Sequence, residues 1–75
     1  MIMSGAKDAT VRQVHAVDIH GTRFYDLAYT HDDAPEPVRT ARIGVESVYP
    51  NPRPGDHVRV SYVMNVVVGV AALDM

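Results

Sequence analysis

Histidine and aspartate are the residue types in this 75-residue chain with the widest range of chemistry, and two short stretches bring them together. These stretches are DIH at residues 18–20 and HDD at residues 31–33. A metal site without cysteine needs three or four such side chains converging, and neither stretch follows a spaced motif such as H-E-x-x-H. We interpret both as solvated loop residues and predict no metal and no cofactor. A metal site and a histidine that senses pH are the other roles that these residues allow.

Nucleophilic catalysis finds little support in the sequence. The chain has no cysteine, and none of its serines (Ser4, Ser47 and Ser61) lies in a G-x-S-x-G turn. The five glycines are isolated from one another, so the sequence contains no phosphate-binding loop. A chain this short also leaves little volume for a substrate cleft of ordinary size. We predict that the protein is not an enzyme.

Length, composition and charge narrow the class of protein. Seventy-five residues allow one domain of marginal stability, because so short a chain buries only ~60% of the surface that it exposes when unfolded. The absence of cysteine excludes disulfides and thiolate zinc sites. An apolar fraction of 47% is typical of a globular domain. Seven basic and nine acidic side chains give a net charge of -2, whereas proteins that bind nucleic acid phosphates usually carry an excess of positive charge.

The ends of the chain indicate the compartment and the domain bounds. The N-terminal residues contain no apolar signal region, and the longest apolar run, residues 66–73, is far shorter than the ~20 residues of a membrane helix. We predict a soluble, cytoplasmic protein without a membrane partner. We also predict a flexible tail over residues 1–8 and one small β domain over residues 9–75.

The first predicted strand is the least regular one. Residues 10–19 are rich in valine and isoleucine, which favours a strand, but Gln13 and His15 interrupt the apolar stripe. A helix over residues 8–17, capped by Asp8, is the alternative. The sequence HGT at residues 20–22 then predicts a tight turn.

The middle of the chain predicts two more strands. Residues 23–30 alternate so that Tyr25, Leu27 and Tyr29 share one face, which we predict to be buried. Residues 31–37 predict an acidic loop broken by proline. Residues 38–49 begin as a strand and take a helical spacing after Gly44, so a single helical turn fits there.

Three alternating prolines follow, in the sequence YPNPRPGD at residues 49–56. A ligand of the SH3 type has prolines three residues apart on a polyproline II helix, and the spacing here is two. The sequence RPGD places Pro54 and Gly55 at the central positions of a type II turn. We therefore interpret the run as a stiff connection that leads into a strand.

The last two strands are the most apolar. Residues 57–64 alternate, with Val58, Val60, Tyr62 and Met64 predicted on one face. Asn65 marks either a hairpin turn or a bulge in a longer strand. Residues 66–73 are apolar on both faces, so this strand is either central in the core or covered by another molecule.

Together these patterns predict a mostly β fold, with about five strands in a small antiparallel barrel-like or rolled sheet. An α+β fold with an N-terminal helix is the alternative. The ending, Gly-Asp-x-Val-x-Val followed by an apolar strand, resembles the last hairpin of OB-like barrels, including that of the small hydrogenase-maturation chaperones. That family depends on a cysteine after the initiator methionine, and Ile2 stands there in this chain. The resemblance therefore implies the fold alone.

Two functional hypotheses follow from these elements. The first is a non-enzymatic protein-interaction module, with a protein partner or a second copy as a homodimer, because the apolar last strand needs a cover. Its predicted interface consists of Val63, Val67, Ala71 and Leu73. The alternative is an OB-like protein that binds nucleic acid through arginines and an aromatic residue. Its predicted face consists of Arg23, Phe24, Arg39 and Arg42.

Overall fold

The computed structural model describes residues 4–73, and most of them belong to one five-stranded antiparallel β-sheet. The strands are β1 (Ser4–Ile19), β2 (Thr22–His31), β3 (Ala34–Gly44), β4 (His57–Val63) and β5 (Val66–Ala72). A short 3-10 helix, Val45–Ser47, follows β3 at the place where the spacing predicted a helical turn. The predicted mostly β class is confirmed, and residues 8–17 form strand rather than the alternative helix. No helix in the described part of the chain is long and apolar enough to cross a membrane.

The strands lie in the order β3-β2-β1-β4-β5. Three consecutive strands are joined by tight turns and the fourth returns beside the first, which is the Greek-key arrangement that OB-like folds also use. The edge strands β3 and β5 contact each other but do not pair. The sheet is therefore rolled and open, and the term barrel describes it only loosely.

β1 begins earlier than the sequence predicted. Residues 1–8 were expected to form a tail, but β1 starts at Ser4 and pairs with β4 from Ser4 opposite Val63 to Thr10 opposite His57. The small and polar side chains of residues 4–8 look like a tail in the sequence, although a strand needs only their backbone groups to pair. Residues 1–3 lie outside the described part of the chain.

A β-bulge explains the irregular apolar pattern of β1. The register with β2 shifts between Val11 and Gln13, which leaves Arg12 as the extra residue. Val11 is buried and Val14 packs against the core, whereas Gln13 and His15 are exposed. The bulge thus changes which alternate positions face inward, so the two polar residues do not interrupt the buried stripe.

The core is a single apolar cluster inside the rolled sheet. Leu27 and Tyr29 are buried and Tyr25 packs against the cluster, as the alternation of β2 predicted. Three side chains of β4 are buried as predicted, but the fourth, Met64, lies in the following turn and is exposed. The complete buried cluster consists of Ala9, Val11, Leu27, Tyr29, Ile43, Val48, Val58, Val60, Tyr62 and Val70.

The proline-rich connection is ordered and docks onto β1. The amide of Asp56 donates to the carbonyl of Arg53 at 3.2 Å, and Gly55 has a φ of 94°, as the predicted type II turn requires. The amide of Gly55 donates to Val11, whose own amide donates to Asp56. The hydroxyl of Tyr49 donates to the Asp56 carboxylate at 2.7 Å. This segment therefore leads into β4, as the sequence predicted.

Candidate functional site

The β4–β5 hairpin carries a concentrated group of exposed apolar side chains. Residues 4–73 contain seven exposed large apolar side chains, and four of them lie between positions 63 and 68. We call these four the hairpin surface: Val63, Met64, Val66 and Val68, which are 50%, 71%, 61% and 47% exposed. Val63 and Val66 are paired directly across the two strands, so their side chains lie on the same face. The result is an apolar surface at the end of the hairpin.

The turn of this hairpin holds two residues in the left-handed region. Met64 has a φ of 48° and Asn65 a φ of 70°, as in a type I′ turn. Asparagine tolerates this geometry, but for methionine the left-handed conformation costs roughly 1–2 kcal/mol. Met64 therefore has an unfavourable backbone geometry and is also the most exposed of the hairpin-surface residues.

A second β-bulge decides which side chains of β5 face the core. The register with β4 shifts between Ser61 and Tyr62, which leaves Val68 as the extra residue opposite no partner. Val67 and Val70 point toward the core on either side of it. The sequence left open whether Asn65 marks a hairpin turn or a bulge in a longer strand; the structure places Asn65 in the hairpin turn, and the bulge lies at Val68, where it was not predicted. The bulge also explains in part how a strand with apolar side chains on both faces fits this sheet, because Val67 and Val70 pack against the core while Val68 is exposed.

The four residues predicted as an interface are not equivalent in the structure. Val63, Ala71 and Leu73 are exposed. Val67 is half-buried and packs against the core, because it lies opposite Tyr62. The exposed apolar positions near it are Val66 and Val68, which the regular alternation of the sequence had assigned to the opposite face.

The outer backbone edge of β5 is partly covered. Val48 forms an isolated parallel bridge with Val70, and the amide of Tyr49 donates to the Val70 carbonyl at 3.1 Å. Bulges and short covers of this kind discourage a further strand from pairing with an edge. The side chains of the hairpin surface are therefore more accessible than the backbone edge of β5.

The hairpin region is also free of charge. Residues 60–73 contain no aspartate, glutamate, lysine, arginine or histidine. The three ion pairs among the described residues lie elsewhere, on β1 to β4 and in the β2–β3 turn. Contacts made by this surface would thus be dominated by apolar burial rather than by salt-dependent charge pairs.

The arginines of the nucleic-acid hypothesis are not brought together. Arg39 lies opposite Tyr29 in the sheet register. It is an odd number of positions from Arg42 along β3, so the two side chains point to different faces of the sheet. Arg42 binds Asp26 with two hydrogen bonds of 2.7 and 2.8 Å, and this bidentate contact lowers the pKa of the Asp26 carboxyl. Arg23 is exposed and Phe24 half-buried. Only part of the predicted face is available to a phosphate.

A buried polar network connects β2 with β4, and the sequence did not predict it. Nε2 of His31 lies 2.8 Å from the Tyr62 hydroxyl, which lies 2.8 Å from the Tyr29 hydroxyl. His31 is 2% exposed, although its stretch was interpreted as a solvated loop. That loop is shorter than predicted, because β3 begins at Ala34 and leaves only Asp32 and Asp33 in the turn. His31 therefore ends a strand and faces the core.

The surroundings of His31 disfavour its charged form. Burial lowers the pKa of its imidazole, and the positive charge of Arg39 lowers it further. Nε of Arg39 is itself buried without a hydrogen-bond partner in the described part of the protein. Burial and the hydrogen bond with Tyr62 raise the pKa of the Tyr29 hydroxyl well above its usual range. Both shifts favour the neutral forms of His31 and Tyr29.

Comparison with known proteins identifies no relative of this chain. No protein-family model matches the chain, and no curated protein or solved structure matches it at a significant level. Within residues 4–73 no group of three or more histidine or acidic side chains is placed to hold a metal ion. The geometry of the hairpin surface and of the buried network is therefore the basis for the proposals below.

Proposed function

We propose that this protein is a non-enzymatic interaction module that binds a second copy of itself through the hairpin surface. The observation that carries the proposal is the exposure of the Met64 side chain on a strained turn. Its side chain is 71% exposed between two exposed valines, on a turn whose backbone geometry is unfavourable for methionine. We also propose, as the sequence indicated, that it acts in the cytoplasm.

Strain and exposure together favour a binding role for Met64. A turn that served only to connect two strands would be more stable with Asn-Gly at its centre. Backbone strain in a protein tends to occur where a side chain must be held in a particular place for function. Methionine is also a flexible side chain that adapts well to apolar binding partners.

A second copy suits this surface because the surface has no charge. In a twofold symmetric dimer the same patch meets itself, so any charged residue near the axis would face its own copy. Like charges brought together in this way disfavour association. Residues 60–73 avoid the conflict because none of them is charged. Self-association would also help to stabilise a chain with a small core.

The test is a double variant that removes the apolar tip and relaxes the turn. M64N/N65G introduces Asn-Gly, the favoured pair for a type I′ turn. We expect the free energy of unfolding of the monomer to rise by about 1 kcal/mol, because the strain at position 64 is relieved. We also expect the dissociation constant of the dimer to rise at least tenfold. Light scattering over a hundredfold range of concentration measures the second effect, and urea unfolding of dilute protein the first.

The two measurements separate a binding role from a structural one. If the wild-type protein is a monomer at every concentration and at both low and high salt, self-association is wrong. If the variant is more stable and still dimerises with unchanged affinity, a dimer exists but Met64 does not form its interface. A dimer that dissociates as salt rises would contradict an uncharged contact surface.

A further inference from the structure

His31 is buried at the point where β2 ends, one residue before the turn to β3. Groups from every neighbouring element face it. They are Lys7 on β1, Tyr29 on β2, Arg39 on β3, Tyr62 on β4, and Asp32 and Asp33 in the β2–β3 turn. Two of these groups are cations, and the two acids are at the surface. The site therefore favours the neutral form of the imidazole and disfavours the charged form.

The two aspartates have other partners. Asp33 accepts a hydrogen bond from Lys7 at 2.7 Å, and Asp32 accepts one from the Thr10 hydroxyl at 3.0 Å. Neither carboxylate hydrogen-bonds to His31, whose Nε2 contacts the Tyr62 hydroxyl. A protonated His31 would thus be a buried cation beside Arg39 without a bound carboxylate, which is unfavourable unless the ring reaches water.

We infer that protonation of His31 opens the β2–β3 turn and exposes the ring, so that the fold contains an acid-sensitive switch at this end of the sheet. The Tyr62 hydroxyl can accept a hydrogen bond from the charged ring, so the loss of this bond is not the cause. The cause is the burial of positive charge next to Arg39. This inference is independent of the proposed self-association.

The turn is the element that can open at low cost. It is held to β1 by the hydrogen bond from the Asp32 amide to the Asp8 carbonyl at 3.0 Å and by surface contacts with Lys7 and Thr10. Surface ion pairs contribute little because water replaces them readily. Exposing the ring also separates His31 from its strand partners, Ala9 on β1 and Ala34 on β3, while the remaining strand pairs stay intact.

The direction of the pH effect follows from the two states. In the closed state the pKa of His31 is low, and in the open state it returns to about 6.5. The open state therefore binds more protons below that value. The closed state is fully favoured above about pH 6.5 and loses its advantage as the pH falls toward the lower pKa of the buried ring.

Amide hydrogen exchange of the wild-type protein tests the switch, with the Asp32 amide as the local reporter. From pH 6.5 to 5.5 we expect its protection factor to fall by up to about fivefold, because the open state is already half protonated at pH 6.5 and one proton taken up on opening changes the equilibrium by at most tenfold per pH unit. The amide of Tyr49, which donates to Val70 far from His31 in the chain, serves as the reference and should keep its protection.

The variant His31→Gln keeps a polar side chain that has no charge to gain, so Asp32 protection should become independent of pH. The variant His57→Gln, at an exposed histidine, is the matched control and should behave as wild type. If His31→Gln does not fold, an NMR titration of the His31 ring signals in the wild-type protein provides the test. A His31 ring that is half protonated at pH 6.5 while Asp32 stays protected would overturn the inference, as would pH-independent protection of Asp32 in the wild type.

Discussion

Tyr62 is the residue on which the buried polar network depends. Its hydroxyl is within hydrogen-bond distance of both His31 and Tyr29, so it is the only member with two partners in the network. Its aromatic ring meets the His31 ring edge to face, with ring centroids 5.9 Å apart. The same side chain is part of the apolar cluster. One residue thus links the packing of β4 to the polar end of β2.

Removing the Tyr62 hydroxyl should therefore cost more than removing the Tyr29 hydroxyl. Tyr62→Phe leaves two buried polar groups without a partner, and we expect a loss of about 1–3 kcal/mol in the free energy of unfolding. Tyr29→Phe removes one hydrogen bond and leaves the contact between Tyr62 and His31, so a loss of about 1 kcal/mol is expected. Urea unfolding at pH 7.5 measures both. Equal losses would show that the network is not organised around Tyr62.

Sequence patterns at the residue scale identified apolar burial but not polar burial. The alternation of β2 correctly placed Leu27 and Tyr29 inside, because a strand buries every second residue. His31 continues that alternation, but its neighbours Asp32 and Asp33 made the stretch look like a solvated loop. The partner of His31, Tyr62, is 31 positions away, so no local pattern could reveal the hydrogen bond.

At the scale of elements, the bulges in β1 and β5 are features that sequence patterns missed. Each adds one residue, Arg12 in β1 and Val68 in β5, and so changes which alternate positions face the core. Strand content, the turn between β1 and β2 and the proline-rich connection were predicted, because glycine, proline and alternating valines act locally. The loop predicted over residues 31–37 was wrong, since β3 begins at Ala34. A bulge depends on how a strand fits its partner, which a single strand's sequence does not contain.

The bulge in β5 leads to opposite expectations for two adjacent valines. Val66→Asp places a charge on the hairpin surface, so the monomer should stay folded and the proposed dimer should dissociate. Val67→Asp places a carboxylate against the apolar cluster, so the monomer should lose about 2 kcal/mol or more of stability. Circular dichroism during thermal unfolding, with light scattering, distinguishes the two. Similar melting temperatures for both variants would contradict the assigned register.

At the scale of the whole molecule, β1 joins the two halves of the sheet. Its first half pairs with β4 and its second half with β2, so β2 and β3 are connected to β4 and β5 mainly through this one strand. The salt bridge between Asp8 and Arg59, 3.0 Å long, spans the same junction. Residues 4–8 are therefore part of the architecture.

Deleting residues 4–8 should abolish cooperative unfolding, because β4 would lose most of its pairing with β1 and its inner edge would become exposed. The double variant K7A/D8A keeps the backbone pairing and removes only surface charges, so it should unfold cooperatively as wild type does. Urea titration followed by circular dichroism compares them. A deletion variant with an unchanged transition would show that the N-terminal half of β1 is dispensable.

The position of β1 also has a consequence for the order of folding. β1, β2 and β3 are neighbours in sequence and can form a three-stranded meander from local contacts. The pairing of β1 with β4 joins residues as far apart in the sequence as Ser4 and Val63. Closing so long a loop has an entropic cost that local hairpins do not have, and folds rich in such distant contacts form slowly. We therefore expect docking of the β4–β5 hairpin onto β1 to limit the rate of folding. Until it docks, the apolar face of the β1–β3 meander stays partly exposed to water.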